Sequence, residues 1–236
     1  MSVSVFENPE RLAEAAAKDF AKKSEAAMEE RGRFTVALAG GSTPKRTYEA
    51  LARDYSDEID WKGVHIFFGD ERTVPPDHED SNYRMANEAL LKRVPLGSVH
   101  RMRGELEPTE AAKLYEAELQ EFFKDHPRFD LMQLGIGADG HTASLFPRTP
   151  ALEIADRLAV SNPVEKLETV RLTLTVPVIN AARSVVFLVA GEGKSEALRE
   201  ILEGDADPRD YPSRLIRPEG GPDWMVDQGA ASLLRC

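Results

Sequence analysis

FDLMQLGIGADGHTASLFP, residues 129–147, joins a short apolar run to a glycine-rich turn that carries a histidine. Phe129 to Leu134 reads as a strand, because a brief apolar run bounded by turn signals fits a strand buried within a sheet. Gly135, Gly137 and Gly140 then place three glycines in six positions. Glycine tolerates sharp turns and close backbone approach, so this turn can set His141 at the edge of a sheet. In open parallel sheets the crevice beyond the carboxyl ends of the strands is where ligands bind. The stretch therefore predicts both the layer it belongs to and the place to look for chemistry.

Working outward, the same grammar repeats. FTVALA (34–39), VHIFF (64–68), the run from Arg171 to Leu174, and VVFLVA (185–190) read as further strands. Near-continuous apolar character, as in FTVALA and VVFLVA, marks strands covered on both faces. Between them lie amphipathic runs: Pro9 to Glu30, Pro44 to Arg53, Ser81 to Arg93, Thr109 to Lys124 and Lys194 to Leu202. In the first of these Leu12, Ala16 and Phe20 recur at helical spacing. Strands alternating with helices predict an α/β fold, with a mostly parallel sheet covered by helices on both faces. No repeat or linker divides the chain, so residues 1–236 are expected to form one domain.

Bulk properties narrow the partners. Lys and Arg number 30 against 41 Asp and Glu, a net charge of −11. That sign argues against nucleic acid and against anionic membrane surfaces. An anionic ligand would require a local positive pocket built against the protein's own field. The lone cysteine, Cys236, can form no internal disulfide. The N-terminus lacks a basic segment followed by an apolar run, and no window approaches the roughly 18 apolar residues of a membrane span. The expectation is a soluble cytoplasmic protein, a monomer or weak homodimer.

Three post-strand loops carry the candidate chemistry. In the loop after Leu134, His141 is suited to proton transfer near neutral pH, and Asp139 stands where it can orient the imidazole. The turn Gly40-Gly41-Ser42-Thr43-Pro44 admits two readings. It is a phosphate cradle, with Ser42 and Thr43 as donors at a helix start, or an ordinary turn capped by Thr43 with Pro44 in the first helical position. It lacks the GK[ST] ending of a P-loop. Gly69-Asp70-Glu71-Arg72 is either a solvated charged loop or a site where Arg72 meets an oxyanion, held in place by Asp70 and Glu71. Arg171 and Lys194 can supply the positive charge that an anionic ligand needs. His65, His100 and His126 read as core or surface histidines. His78, among Asp77, Glu79 and Asp80, reads as part of an exposed acidic turn, since no second histidine or cysteine lies at ligand spacing. Ser144 lacks the G-x-S-x-G elbow of a nucleophile.

Five segments in this order resemble the glucosamine-6-phosphate isomerase/6-phosphogluconolactonase family, on its lactonase side. They are AGGSTPKRTYEAL (39–51), GDERTVPPDHEDSNYRMANEALL (69–91), FDLMQLGIGADGHTASLFP (129–147), RLTLTVPVINAARSVVFLVAGEGKSEAL (171–198) and IRPEGGPDWMVDQGAA (216–231). The resemblance implies a Rossmann-like three-layer fold. It implies hydrolysis of 6-phospho-D-glucono-1,5-lactone, a small phosphorylated sugar lactone, with no required cofactor and no metal. Carried onto these positions, it makes His141 the base and Arg72 the substrate-orienting arginine. Gly41, Ser42 and Thr43 become part of a phosphate pocket, with Arg171 and Lys194 as its cations. Glu196 follows Ser195 after the lysine, where an alanine commonly follows the lysine directly. A sugar-phosphate isomerase or deaminase of the same fold is the alternative. Such deaminases carry an acidic residue shortly after the histidine, where Leu145-Phe146-Pro147 stands here. A non-enzymatic sugar-phosphate sensor is the third reading, and it would call for a DNA-binding segment that the acidic charge disfavours.

Overall fold

The computed structural model describes residues 1–124 and 126–235; Cys236 lies outside the described residues. The chain runs β1 (Ser2–Phe6), α1 (Pro9–Arg31), β2 (Phe34–Leu38), α2 (Ser42–Asp54), β3 (Val64–Phe68), β4 (Asp70–Arg72), α3 (Asn82–Ala89), β5 (Ser98–Val99), α4 (Pro108–Phe123), β6 (Leu131–Leu134), β7 (Ala159–Val164), β8 (Thr169–Leu174), α5 (Val176–Asn180), β9 (Val185–Val189), α6 (Ser195–Glu203) and β10 (Asp223–Asp227). Seven strands form one sheet in the order β1-β10-β9-β6-β2-β3-β5. Every pairing in it is parallel.

Successive side chains of a strand point to opposite faces, so a strand covered on both sides must be apolar throughout. In β2, Val36 and Leu38 enter one core while Ala37 enters the other. In β9, Phe187 and Val189 face the layer containing Tyr115, Leu119 and Leu198, while Val186 and Leu188 face Leu12, Phe20 and Tyr48. Helices α1, α2 and α3 thus cover one face, and α4 and α6 the other. Local signals set the helix ends. The Asn8 side chain accepts from the Arg11 amide at 2.9 Å, Pro9 opens α1, and Gly32 closes it at φ 67°.

Four features depart from the sequence reading. β1 and β10 pair at one end of the sheet, where half-exposed alternating sequences give no continuous apolar run. Helix α2 begins at Ser42 with Gly41 as its cap, so Thr43 caps nothing and Pro44 sits inside the first turn. The helix expected over 81–93 stops at Ala89 and is followed by a tighter 3₁₀ turn, Leu91–Arg93. Residues 70–72 are not a loop: β4 pairs antiparallel with β8, and β8 with β7, in a second, three-stranded sheet. Among the described residues no helix is long and apolar enough to cross a membrane.

Candidate active site

The turn after β6 folds back on itself. The Gly137 amide donates to the His141 carbonyl at 2.8 Å, and Thr142 Oγ1 donates to the Gly135 carbonyl at 2.8 Å. The Gly140 carbonyl receives the Ser213 amide at 3.0 Å and Ser213 Oγ at 2.8 Å, which ties the turn to the C-terminal part of the chain. Glycine at 137 is a steric requirement. A Cβ there would lie 2.1 Å from His141 Nδ1 and 2.5 Å from Asp139 Oδ1. Ala143, at φ 47°, holds a left-handed conformation that costs a non-glycine residue free energy.

The space left by Gly137 is filled by a histidine–carboxylate pair. Asp139 Oδ1 lies 2.6 Å from His141 Nδ1. The hydrogen bond from His141 holds the Asp139 carboxyl well below the usual carboxylate range, at about 2; partial burial opposes this and Lys166 adds a smaller pull in the same direction. With Nδ1 facing a carboxylate, the ring keeps its proton there and presents Nε2 as the acceptor. The imidazole stacks on Phe146 with centroids 4.1 Å apart, which fixes the ring plane.

The second sheet supplies the cations. Arg72 on β4 stands directly opposite Arg171 on β8. Arg72 Nη1 donates to the Asp80 carbonyl at 2.7 Å and to Asn82 Oδ1 at 2.6 Å. Asp70 and Glu71 do not hold this guanidinium, contrary to the sequence expectation. Asp70 instead accepts from Ser144 Oγ at 2.6 Å, joining the sheet to the His141 turn. Glu71 accepts the Asn82 and Tyr83 amides at 2.7 and 2.8 Å, an anion at the start of α3. Burial pushes Glu71 up from its ordinary pKa against these hydrogen bonds. The Arg171 guanidinium is pushed down, first by burial and then by the positive charge of Arg72. Lys194 closes a 3₁₀ turn, Glu192–Lys194, at the head of α6. Among the described residues neither the Arg171 nor the Lys194 side chain forms a hydrogen bond or ion pair with the protein.

These parts meet in one cleft of ≈ 370 Å³, whose wall includes Gly41, Arg72, His141, Arg171 and Lys194. Its size suits a small ligand. Asp139 backs the histidine from behind the wall. The side chains of Ser42 and Thr43 do not form the wall; Ser42 is exposed and Thr43 is buried. A larger cavity of ≈ 880 Å³ lies beyond Asp139 and shares Phe146 with the cleft. Its cations already have partners: Arg148 pairs with Asp210 at 2.6 Å and Lys166 with Asp139 at 3.7 Å. The smaller cleft is therefore the one with positive charge to offer an anion. The stretch that follows β4 supplies Asn82 to this wall, and the His141 loop supplies Phe146. The helical run expected from Ser81 reaches Asn82, but nothing in the sequence marks its contact with Arg72.

The remaining histidines lie elsewhere. His65 Nδ1 and His100 Nε2 meet Ser98 Oγ at 2.7 and 2.6 Å, and His100 Nδ1 meets Glu118 at 2.7 Å. His78 Nδ1 accepts the Asp80 amide at 3.1 Å in an exposed turn. Among the described residues no group of three or more His, Cys, Asp or Glu is arranged to hold a metal ion.

Residues 7–224 match the family described as glucosamine-6-phosphate isomerases/6-phosphogluconolactonase. A 6-phosphogluconolactonase of Synechocystis is 48% identical over 241 residues, covering 99% of this chain and 98% of the relative. One from Aggregatibacter actinomycetemcomitans is 38% identical, covering 84% of this chain and 87% of that protein. The solved 6-phosphogluconolactonase of Trypanosoma cruzi superposes with a TM-score of 0.89 at 30% identity, covering 100% of this chain and 97% of that one. A monomeric glucosamine-6-phosphate deaminase shares the fold, with a TM-score of 0.81 at 23% identity.

Proposed function

The chain belongs to the glucosamine-6-phosphate isomerase/6-phosphogluconolactonase family, and on that premise we propose how its cleft works. The reaction is hydrolysis of 6-phospho-D-glucono-1,5-lactone to 6-phosphogluconate, in the oxidative pentose phosphate pathway. A lactone is an activated ester, so water can attack it without a covalent enzyme intermediate. His141 Nε2 takes a proton from that water, which attacks C1. Asp139 keeps the proton of the resting ring on Nδ1 and stabilises the imidazolium that forms. Negative charge developing on the former carbonyl oxygen is met by Arg72 or by a backbone amide of the glycine turn. His141 then returns its proton to the departing ring oxygen.

The phosphate sits at the far end of the substrate. Arg171 and Lys194 receive it, with the amides of Gly41, Ser42 and Thr43 at the start of α2. Gripping a remote group lets binding energy orient the reacting carbon. General-base catalysis supplies about 10²–10⁴ in rate, and one oxyanion donor roughly 10²–10³. The observation that carries this reading is a single cleft in which His141, hydrogen-bonded to Asp139, shares a wall with Arg171 and Lys194, two cations that form no hydrogen bond or ion pair among the described residues. In a chain of net charge −11, two cations in one cleft without direct ion pairs suit an anionic ligand, even with Asp70, Asp80 and Glu71 near enough to act on Arg171. We read residues 1–236 as one domain, a cytoplasmic monomer or weak homodimer with no nucleic-acid partner. The pairing of β1 with β10, near the two ends of the chain, supports the one-domain reading.

Glucose-6-phosphate dehydrogenase can generate the lactone in place, and a coupled dehydrogenase then reports 6-phosphogluconate. Product formation well above spontaneous hydrolysis is the expected result. A rate equal to the spontaneous one would discard the assignment.

A further inference from the structure

Asn82 is the first residue of α3, and it is only 1% exposed. Its carboxamide has one chemically acceptable orientation. Nδ2 donates to the Asp70 carbonyl at 2.9 Å and to Asp70 Oδ1 at 3.2 Å. Both partners are acceptors, so a flipped amide would set oxygen against two oxygens and nitrogen against a guanidinium. Oδ1 must therefore face Arg72, whose Nη1 it meets at 2.6 Å. The Asn82 backbone is fixed as well, since its amide donates to Glu71 Oε1 at 2.7 Å while Ser81 Oγ donates to Oε2 at 3.1 Å. Gly40 closes the third side. A Cβ at Gly40 would lie 1.8 Å from Asn82 Oδ1, so the first glycine of the turn is the space that Asn82 occupies.

The surrounding charges say why the group is an amide. Arg72 faces Arg171, a like charge that is partly buried. A carboxylate at position 82 would be a stronger acceptor for the guanidinium, but as an ion pair it would cancel the charge of Arg72 toward a ligand. It would also stand beside the Asp70 carboxyl, where the amide now donates. A neutral acceptor fixes the guanidinium and leaves its charge unspent.

We infer that Asn82 is a positioning residue, which holds Arg72 in the cleft through a neutral amide so that the guanidinium's charge stays available to an anionic ligand. This rests on the lactonase reading of the cleft. The substitution Asn82→Asp keeps the shape but adds charge and removes the donor that faces Asp70, so the part of its effect that passes through Arg72 is isolated by repeating it without Arg72. The test is a cycle of four proteins: wild type, Asn82→Asp, Arg72→Ala, and the double variant. KM and kcat are measured in the coupled assay, Kd for 6-phosphogluconate by calorimetry, and Tm for each protein. With Arg72 present, Asn82→Asp is expected to raise Kd for 6-phosphogluconate, which carries a carboxylate at C1, and to lower kcat/KM, each by about 10-fold or more, the scale of a hydrogen bond to a charged group. In the Arg72→Ala background the same substitution should change Kd by less than about two-fold, since partners in one interaction are not additive. Equal weakening in both backgrounds would mean a general structural role and would overturn the inference, as would an unchanged Kd with Arg72 present. If Asn82→Asp does not fold, Asn82→Ser replaces it in the same cycle, with weakening again expected only where Arg72 remains. A wild type that binds 6-phosphogluconate but hydrolyses no lactone would instead sink the reading of the cleft, while the binding cycle would still decide the role of Asn82.

Discussion

The two sheets reach the cleft by different physical routes. The seven-stranded sheet has central strands, β2 and β9 among them, that are buried on both faces, and it delivers His141 after β6 on a turn stiffened by its own hydrogen bonds. The three-stranded sheet is polar and short, and it exists through tertiary contacts. The Gly69 carbonyl accepts the Leu174 amide at 2.9 Å, Thr73 Oγ1 donates to the Val170 carbonyl at 2.9 Å, and the Ser144 amide donates to Thr173 Oγ1 at 3.3 Å. It brings Arg72 and Arg171 face to face. The difference teaches a division of labour. The parallel sheet places His141, the proposed proton acceptor, and the small antiparallel sheet, with the head of α6, places positive charge.

If that division is real, substitutions on the two sides separate in kinetics. The largest effect belongs to His141→Ala. Losing the general base should lower kcat by about 10²–10⁴, while 6-phosphogluconate still binds with an affinity close to that of the wild type. Turnover near the wild-type value would remove His141 from the mechanism and break the comparison at its first half. Next in size are Arg171→Ala and Lys194→Ala. Each removes a cation proposed to receive the phosphate and should raise KM by roughly 10-fold or more, with kcat changed much less. The effect should shrink as salt is added, because screening weakens charge contacts in an open cleft. Unchanged KM and kcat in either variant would take that residue out of the phosphate site. A fall in kcat alone would show that the cations serve the reacting carbon.

The same contrast explains what could be read from the sequence. FTVALA, VHIFF and VVFLVA identify β2, β3 and β9 because burial on both faces writes itself into composition. The spacing of Gly135, Gly137 and Gly140 marks the His141 turn, since close approach leaves glycine as the workable residue there. β4 is Asp-Glu-Arg, and β7 contains Asn162 and Pro163. No propensity selects such strands; their partners across the sheet do. The contacts of Asn82 are illegible for the same reason, because its partners Asp70 and Arg72 on β4 and Gly40 before α2 lie in two other segments of the chain. Adjacency in sequence places Asp70 and Glu71 beside the Arg72 side chain, but adjacency along a strand is not contact in space. In a strand successive residues point to opposite faces, which turns Glu71 away from Arg72, while Asp70 shares the face of Arg72 but has its carboxylate taken by Ser144 and Asn82.

The smallest effect concerns the His–Asp pair itself. Asp139 is held at about 2 in the folded protein, against an ordinary value of 3.8. A carboxyl depressed by folding stabilises the native state where it is ionised in both states, above its unfolded value. That contribution fades as pH falls from about 4 toward 2, because the unfolded chain then takes up the proton first. The pair is partly exposed, so the stabilisation is about 1 kcal/mol, less than the shift alone would give. Asp139→Asn cannot ionise and lacks this term. Urea unfolding of the two proteins at pH 5 and at pH 3 should therefore show wild type ahead by that margin at the higher pH, with the gap narrowing at the lower. The Asn variant keeps a hydrogen-bonding side chain beside His141 and should lose kcat without losing affinity for 6-phosphogluconate, which places Asp139 with the parallel sheet. A stability gap that widens on acidification would mean that the carboxyl is not held low by His141. The turn would then be ordered by its glycines and Ser213 alone, and the parallel-sheet side of the cleft would have to position its base without a charged partner.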